Sequence, residues 1–280
     1  MSDAAPPLPE VRRAVAIALA EDLGVAGDIT SAATVAESSR GVARFVAREE
    51  GVVAGVAFAA EVYRVVDAGL EVKWSLADGD PVVPGAEIGI VAGSLRSILA
   101  GERCALNFLS HCSGVATATR RFAEAVGPRC RVLDTRKTLP GLRAAQKAAV
   151  RAGGGHNHRD SLSDQVLIKD NHLSVLGITE AVTRARAMWP GRTVEVECDT
   201  LAQVEEAAAA GVDRIMLDNM TPAEVARAIE VIGGAAPVEV SGGVTLETAA
   251  AFAAAGADFV SVGALTHSAR ALDIGLDIGS

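Results

Sequence analysis

Aromatic residues are scarce in this chain: two Trp, one Tyr and six Phe among 280 residues. Stacking platforms for bases need more than that, and a formal charge of −9 gives no basic footprint, so nucleic-acid binding is not expected. Cysteine is scarce too. Cys104, Cys112, Cys130 and Cys198 show no C-x-x-C spacing, which points to reduced thiols in a reducing compartment rather than to a disulfide framework. No apolar run reaches the roughly 18 residues that a membrane-spanning helix needs. The first nine residues are polar and Pro-rich and carry no secretory pattern, so a cytoplasmic location is expected, with no membrane partner. Lysine is rare as well: the 26 Lys and Arg include only four Lys.

Those few lysines are not scattered. Lys137, Lys147 and Lys169 lie in one stretch of 39 residues from Asp134 to His172, with His156, His158 and His172. The stretch holds seven Lys and Arg against four Asp, a net of +3 inside a chain of −9. A cationic, His-rich island in an acidic chain is where small anions are expected to bind. Lys is a compact ammonium and Arg a planar fork, so a chain biased to Arg that still places Lys here has use for the ammonium itself.

The second half repeats one plan. Short β-branched runs at 131–135, 165–169, 193–198, 214–217, 237–240 and 259–262 alternate with helical periodicity at 141–152, 178–188, 201–210, 222–232 and 246–255. Pro140 and Pro222 stand where helices are expected to begin, and Gly211, Gly233 and Gly256 where they end. This β-α repetition predicts a parallel sheet, either a barrel or a doubly wound sheet. Polar groups follow every strand, which favours the barrel, where loops from all strands converge on one rim. The first half differs. Residues 8–23 read as an amphipathic helix, 41–57 and 70–91 as strands with turns, and 95–126 as a long helix with a break expected at Ser113-Gly114. The domain boundary is placed there, giving 1–113 and 114–280.

Several constellations carry chemistry on the expected rim. Asp134-Thr135-Arg136-Lys137-Thr138 closes a strand with two adjacent cations ahead of a helix, an arrangement suited to phosphate or carboxylate, though also to a solvated charged loop. Gly153-Gly154-Gly155 precedes His156-Asn157-His158-Arg159. Its two histidines could be read as a metal pair, but further ligands are lacking, and anion binding by His158 and Arg159 is better supported. Lys169 at a strand end could form a Schiff base, contact an anion, or pair with a rim carboxylate. Glu197 and Asp218 end neighbouring strands and suit sugar hydroxyls or Mg²⁺ held through water, unless the rim lysines neutralise them. Ser241-Gly242-Gly243 and Gly263-Ala264 sit where α/β barrels bind phosphate. Arg143, Lys147 and Arg151 recur every four residues on a helix and read as a solvated face or an interface. The ligands expected from these groups are a phosphorylated sugar and an organic polyanion.

The strings Asp134–Arg143, Gly153–Arg159 and Leu167-Ile168-Lys169-Asp170-Asn171-His172 resemble those of the quinolinate phosphoribosyltransferase family. The likeness continues through Glu21-Asp22, Gly27-Asp28-Ile29-Thr30, Gly101-Glu102-Arg103, Asn107-Phe108, Glu195-Val196-Glu197, Leu217-Asp218-Asn219 and Ser241-Gly242-Gly243. The resemblance implies an N-terminal α/β sandwich domain followed by an open six-stranded α/β barrel. It implies a homodimer with shared active sites, open to higher assembly, that joins quinolinate to 5-phosphoribosyl 1-pyrophosphate with Mg²⁺ in NAD biosynthesis. On that likeness, Arg136, His158 and Arg159 bind quinolinate, with Arg103 reaching in from the partner subunit, and Thr135 is a further substrate-binding residue. Lys137 and Lys169 lie between quinolinate and the pyrophosphate. Glu197 and Asp218 face the ribose hydroxyls and Mg²⁺, and Ser241, Gly242, Gly243, Val262, Gly263 and Ala264 hold the 5′-phosphate. Lys137, Lys169, Glu197 and Asp218 are the expected catalytic groups. Three competitors stand beside this reading: a molybdenum-transport-associated paralogue, a Schiff-base aldolase acting through Lys169, and a non-enzymatic anion-binding module.

Overall fold

The computed structural model describes residues 5–279 and divides into two compact units. The first takes in the chain up to Arg120, then residues 138–154, and the segment from Ala264 onward; the second comprises Arg121–Lys137 and Gly155–Gly263.

In the first unit, α1 (Leu8–Leu23) has Pro9 in its opening turn, ends at Gly24 with a φ of 53°, and buries Val11, Val15 and Leu19 at a spacing of one turn. A short α2 (Ile29–Thr34) follows, capped by Asp28, whose carboxylate accepts from the Ser31 N–H at 2.9 Å. Then come β1 (Arg40–Ala47), β2 (Gly51–Val52), α3 (Val56–Val66), β3 (Glu71–Trp74), β4 (Pro81–Val82) and β5 (Glu87–Ser94). The extended run expected over 41–57 therefore ends earlier, because α3 opens at Val56 after the left-handed Gly55. α3 packs on α1, and its Phe58, Val62 and Tyr63 are buried, Phe58 stacking on Phe108 and Tyr63 meeting Phe45 edge-on.

The long helix is α4 (Leu95–Val126), and it runs without the break expected at Ser113-Gly114. Gly114 is there for room: a Cβ would stand 2.1 Å from the Arg270 carbonyl oxygen. After β6 (Arg131–Leu133) comes α5 (Arg143–Ala152). It starts three residues beyond Pro140, and the Gln146 carbonyl folds back to accept from the Leu139 N–H at 2.9 Å. Lys147 is only 2% exposed while Arg143 and Arg151 are partly exposed, so of the two expectations for this face, solvated or interface, burial of Lys147 removes the first at that position. α5 packs against α1 and α11.

The second unit continues with β7 (Val166–Ile168), α6 (Asp170–Leu173), α7 (Ile178–Met188), β8 (Val194–Cys198), α8 (Leu201–Ala209), β9 (Arg214–Asp218), α9 (Pro222–Ile232), β10 (Val238–Ser241), α10 (Leu246–Ala255) and β11 (Phe259–Ser261). α11 (Ala264–His267) and β12 (Ile274–Gly279) complete the chain, and β12 returns to pair antiparallel with β1. The antiparallel sheet of the first unit is thus β12-β1-β5-β3, with one strand from each end of the sequence. Threonines cap the starts of α8, α9 and α10, each in a reciprocal capping box, and left-handed Gly233 and Gly256 close α9 and α10.

The parallel sheet runs β6-β11-β10-β9-β8-β7. Its order winds one way around the sheet and never reverses, as in a barrel and unlike a doubly wound sheet. The strands β6 and β7, consecutive in sequence, stand at opposite edges, so the barrel is open between them. Helices α7, α8, α9 and α10 pack in succession outside it.

Candidate active site

Alternation along the barrel strands sorts their residues. Ile168, Val194, Val196, Ile215, Leu217, Val238, Val240 and Val260 are buried and apolar. The intervening positions, Leu167, Lys169, Met216, Glu239, Ser241 and Ser261, line a cavity of about 290 Å³, together with Asp134, Thr135, Arg136, Lys137, His158 and Arg159. Seven of the sequence-predicted substrate residues thus meet in one pocket: Thr135, Arg136, Lys137, His158, Arg159, Lys169 and Ser241.

Each is fixed by the loop that follows its strand. Buried Asp134 at the end of β6 accepts from the Asn157 side chain at 2.5 Å and from the His158 N–H at 2.9 Å, tying the loop after the three glycines to β6. The Thr135 hydroxyl accepts from the Lys137 N–H at 3.0 Å, turning the chain so that Arg136 and Lys137 both border the cavity. Burial and the neighbouring charge of Arg136 lower the pKa of Arg159, outweighing the opposite pull of Glu195 and Asp164. Lys169 donates a short hydrogen bond to Glu197. Burial raises the pKa of Glu197 despite that ammonium, and the charge of Asp218 adds to the rise. The Schiff-base reading calls for a lysine desolvated in an apolar pocket; an ammonium paired with a carboxylate speaks against it.

The phosphate-type turn has a steric signature. Asn219 adopts a φ of 55°, and its N–H donates to the Ser241 carbonyl at 3.0 Å. A Cβ on Gly242 (φ 83°) would lie 2.3 Å from the Asn219 side-chain oxygen, so the turn requires glycine. Gly243 is left-handed as well, and Val262 is buried, its N–H donating to the Leu133 carbonyl at 2.9 Å. Asp218 is half-buried and accepts from the Asn219 side chain at 2.6 Å. Arg103 is exposed on α4, in the first unit, and Ala264 opens α11, also in that unit.

Below the rim lies a charged layer that sequence reasoning passed over. Glu195 and Glu239 are fully buried inside the barrel. His158 Nε2 sits 3.1 Å from Glu195 Oε2 and 3.5 Å from Glu239 Oε2. Gln165 donates to Glu195 at 2.7 Å, Arg214 to Glu239 at 2.9 Å, and the Ser261 hydroxyl to Glu239 at 2.5 Å. The guanidinium of Arg214 also lies 4.4 Å over the Phe259 ring. The signal was present in the alternation Val194-Glu195-Val196-Glu197 and Val238-Glu239-Val240-Ser241: with helices outside, the acidic face turns inward.

Two influences on His158 oppose each other. Burial disfavours its charge, but the carboxylates of Glu195 and Glu239 outweigh that and raise its pKa to about 9. Against this, Nδ1 accepts from the Arg159 N–H at 2.8 Å. That contact selects the tautomer of the neutral ring, since a proton on Nδ1 would face another N–H. The ring proton therefore sits on Nε2, toward the carboxylates. His158, Glu195 and Glu239 are close enough to hold a metal ion, yet Arg214 and Gln165 already donate to the same carboxylate oxygens, so the group reads as a hydrogen-bond network. His156 pairs with β6 through its backbone and is exposed, and no His-x-His metal pair forms with it among the described residues.

The four cysteines are buried and free. Burial pushes the thiols up to about 11 for Cys104 and Cys130 and about 12 for Cys112 and Cys198, which makes them inert.

Family models match both parts of the sequence. The quinolinate phosphoribosyl transferase N-terminal domain matches residues 28–113 and the C-terminal domain residues 115–277. The chain belongs to the quinolinate phosphoribosyltransferase family. Among its relatives, the nicotinate-nucleotide pyrophosphorylase [carboxylating], chloroplastic, of Arabidopsis thaliana is 44% identical over 97% of this chain and 84% of its own length. The nicotinate-nucleotide pyrophosphorylase [carboxylating] of Mycobacterium leprae is also 44% identical, over 93% of this chain and 94% of its own. The solved structure of nicotinate-nucleotide pyrophosphorylase from Francisella tularensis superposes with a TM-score of 0.93 at 40% identity, covering 98% of this chain and 97% of that one. Membership fits a barrel whose cavity gathers Arg136, Lys137, Arg159 and Lys169.

Proposed function

We propose that this chain joins quinolinate to 5-phosphoribosyl 1-pyrophosphate with loss of CO₂, giving nicotinate mononucleotide and pyrophosphate for NAD synthesis. One observation carries the reading: four cationic side chains, Arg136, Lys137, Arg159 and Lys169, border a single cavity in a family barrel, while the chain as a whole is acidic. Quinolinate is a dianion whose carboxylates suit guanidinium forks. Arg136 and Arg159 take that role, with His158 at the floor and Arg103 supplied by the partner subunit of a homodimer. Lys137 and Lys169 stand toward the pyrophosphate, and the left-handed turn of Ser241, Gly242 and Gly243 takes the 5′-phosphate, together with residues 262–264.

Bond formation begins as the pyridine nitrogen attacks the sugar C1 and the C1–O bond to pyrophosphate breaks. Lys137 and Lys169 stabilise the charge gathering on the leaving group. Glu197 and Asp218 face the ribose, where carboxylates favour the oxocarbenium character of C1. The adjacent carboxylate then leaves as CO₂, its bonding pair stays on the ring carbon as a carbanion stabilised by the quaternised nitrogen beside it, and that carbon takes a proton from Lys169 or water. Mg²⁺ fits the same hard oxygen donors, Glu197 and Asp218, whose charges already repel each other. When bound, it would neutralise pyrophosphate charge. The inert, reduced thiols suit a cytoplasmic enzyme.

The test is direct. The purified chain, given ring-labelled quinolinate, 5-phosphoribosyl 1-pyrophosphate and Mg²⁺, should release CO₂ and nicotinate mononucleotide in equal amounts. Binding of both ligands without turnover would instead mark an anion-binding module.

A further inference from the structure

The charged layer forms the floor of the pocket, where Glu239 and Ser261 line it, and it reaches the rim groups used in the steps above through His158 and Arg159. Barrel interiors are ordinarily filled by branched apolar side chains. Here the layer holds two carboxylates, each wholly buried, and Glu239 gathers partners from three directions. Its Oε1 accepts from Ser261 on β11, and its Oε2 accepts from Arg214 on β9 and faces His158 Nε2. A buried carboxylate with such partners is costly to keep unless the arrangement serves something. The chain of contacts leads in one direction. Glu239 and Glu195 hold Nε2–H of His158, that orientation leaves Nδ1 as an acceptor, and Nδ1 holds the peptide N–H of Arg159. Arg159 borders the pocket.

We propose that Glu239 is a positioning residue for the aromatic dicarboxylate: by fixing the ring of His158 it fixes the peptide of Arg159, and so sets the wall that grips the ligand. The inference rests on the assignment of this pocket to quinolinate. Glu239→Gln keeps the side chain's shape but removes its charge. The new amide can turn a donor toward Nε2–H, and Arg214 loses its counter-charge. The ring then has reason to turn, and the Arg159 N–H loses its acceptor.

Two measurements on the full chain read this. In calorimetric titrations, Glu239→Gln should weaken quinolinate binding by about tenfold or more, while 5-phosphoribosyl 1-pyrophosphate binding stays within about twofold, because only one wall of the pocket depends on the network. In ¹⁵N spectra of the histidine side chains, His158 of the unaltered chain should carry its proton on Nε2 with Nδ1 as acceptor, and the variant should lose that pattern. Ser261→Ala, which removes a single bond to Glu239 Oε1, serves if the first variant does not fold, with an expected weakening of about fivefold for quinolinate alone. Equal weakening of both ligands would reduce Glu239 to a structural residue and overturn the proposal, as would an unchanged quinolinate affinity in either folded variant. An unaltered chain that does not bind quinolinate would overturn the pocket's assignment first, an outcome visible before any variant is made.

Discussion

At the scale of single residues, the pocket is a matter of which charges are paired and which face the cavity. Lys169 shows both conditions at once: its ammonium bonds Glu197, and it lines the cavity. On the proposed mechanism, removing it takes a cation from the leaving group, and it leaves buried Glu197 without this partner. Lys169→Ala should lower kcat by about 10²-fold or more, the cost typical of losing one preorganised electrostatic contact, and single-turnover measurement should place the loss in chemistry. Turnover equal to that of the parent would remove Lys169 from the mechanism. Lys147 makes the opposite point. Its spacing with Arg143 and Arg151 resembles a solvated stripe, but α5 packs against α1 and the lysine is buried. Helical spacing says which residues share a face; it does not say what covers that face.

At the scale of elements, the helices obey their end signals. Asp28 caps α2 through the Ser31 N–H. Hydrogen bonds from the Ser31 side chain and peptide hold its carboxyl below the ordinary 3.8. Asp28→Ala should therefore cost about 1 kcal/mol at neutral pH, read as a lower melting temperature. Because the folded carboxyl titrates lower than the unfolded one, the cap's contribution is full above the ordinary value and is lost as pH falls through the lowered one. The melting difference between parent and variant should shrink on acidification through that range and stay constant above it. The six barrel strands were legible to within a residue or two, since β-branched runs between glycine-ended helices leave little choice. The continuity of α4 was not legible, because Gly114 is dictated by the backbone at Arg270 and not by any local preference for a break.

At the scale of the whole molecule, the proposed homodimer makes a stoichiometric prediction. Arg103 lies in the first unit and Arg136 in the second. If each active site takes Arg103 from the partner subunit, Arg103→Ala and Arg136→Ala chains are each impaired alone. Mixed and allowed to exchange, half the dimers are hybrid and each hybrid holds one intact site, so activity should recover to about a quarter of the parent's. No recovery on mixing would mean that the site draws on one subunit only.

What the sequence determined by itself was the α/β repetition, the cationic island and the identity of the rim groups, because strand ends, glycine turns and charge clusters are local facts. Tertiary structure decided the rest. It set the single winding of the sheet that makes an open barrel, the return of β12 to pair with β1, and the burial of Lys147. It also decided that the acidic faces of β8 and β10 turn toward His158 rather than toward water. The physical reason is the same in each case. A period of two or of 3.6 residues divides a strand or helix into faces, and only the neighbours that arrive from distant parts of the chain determine which face is covered, and by what.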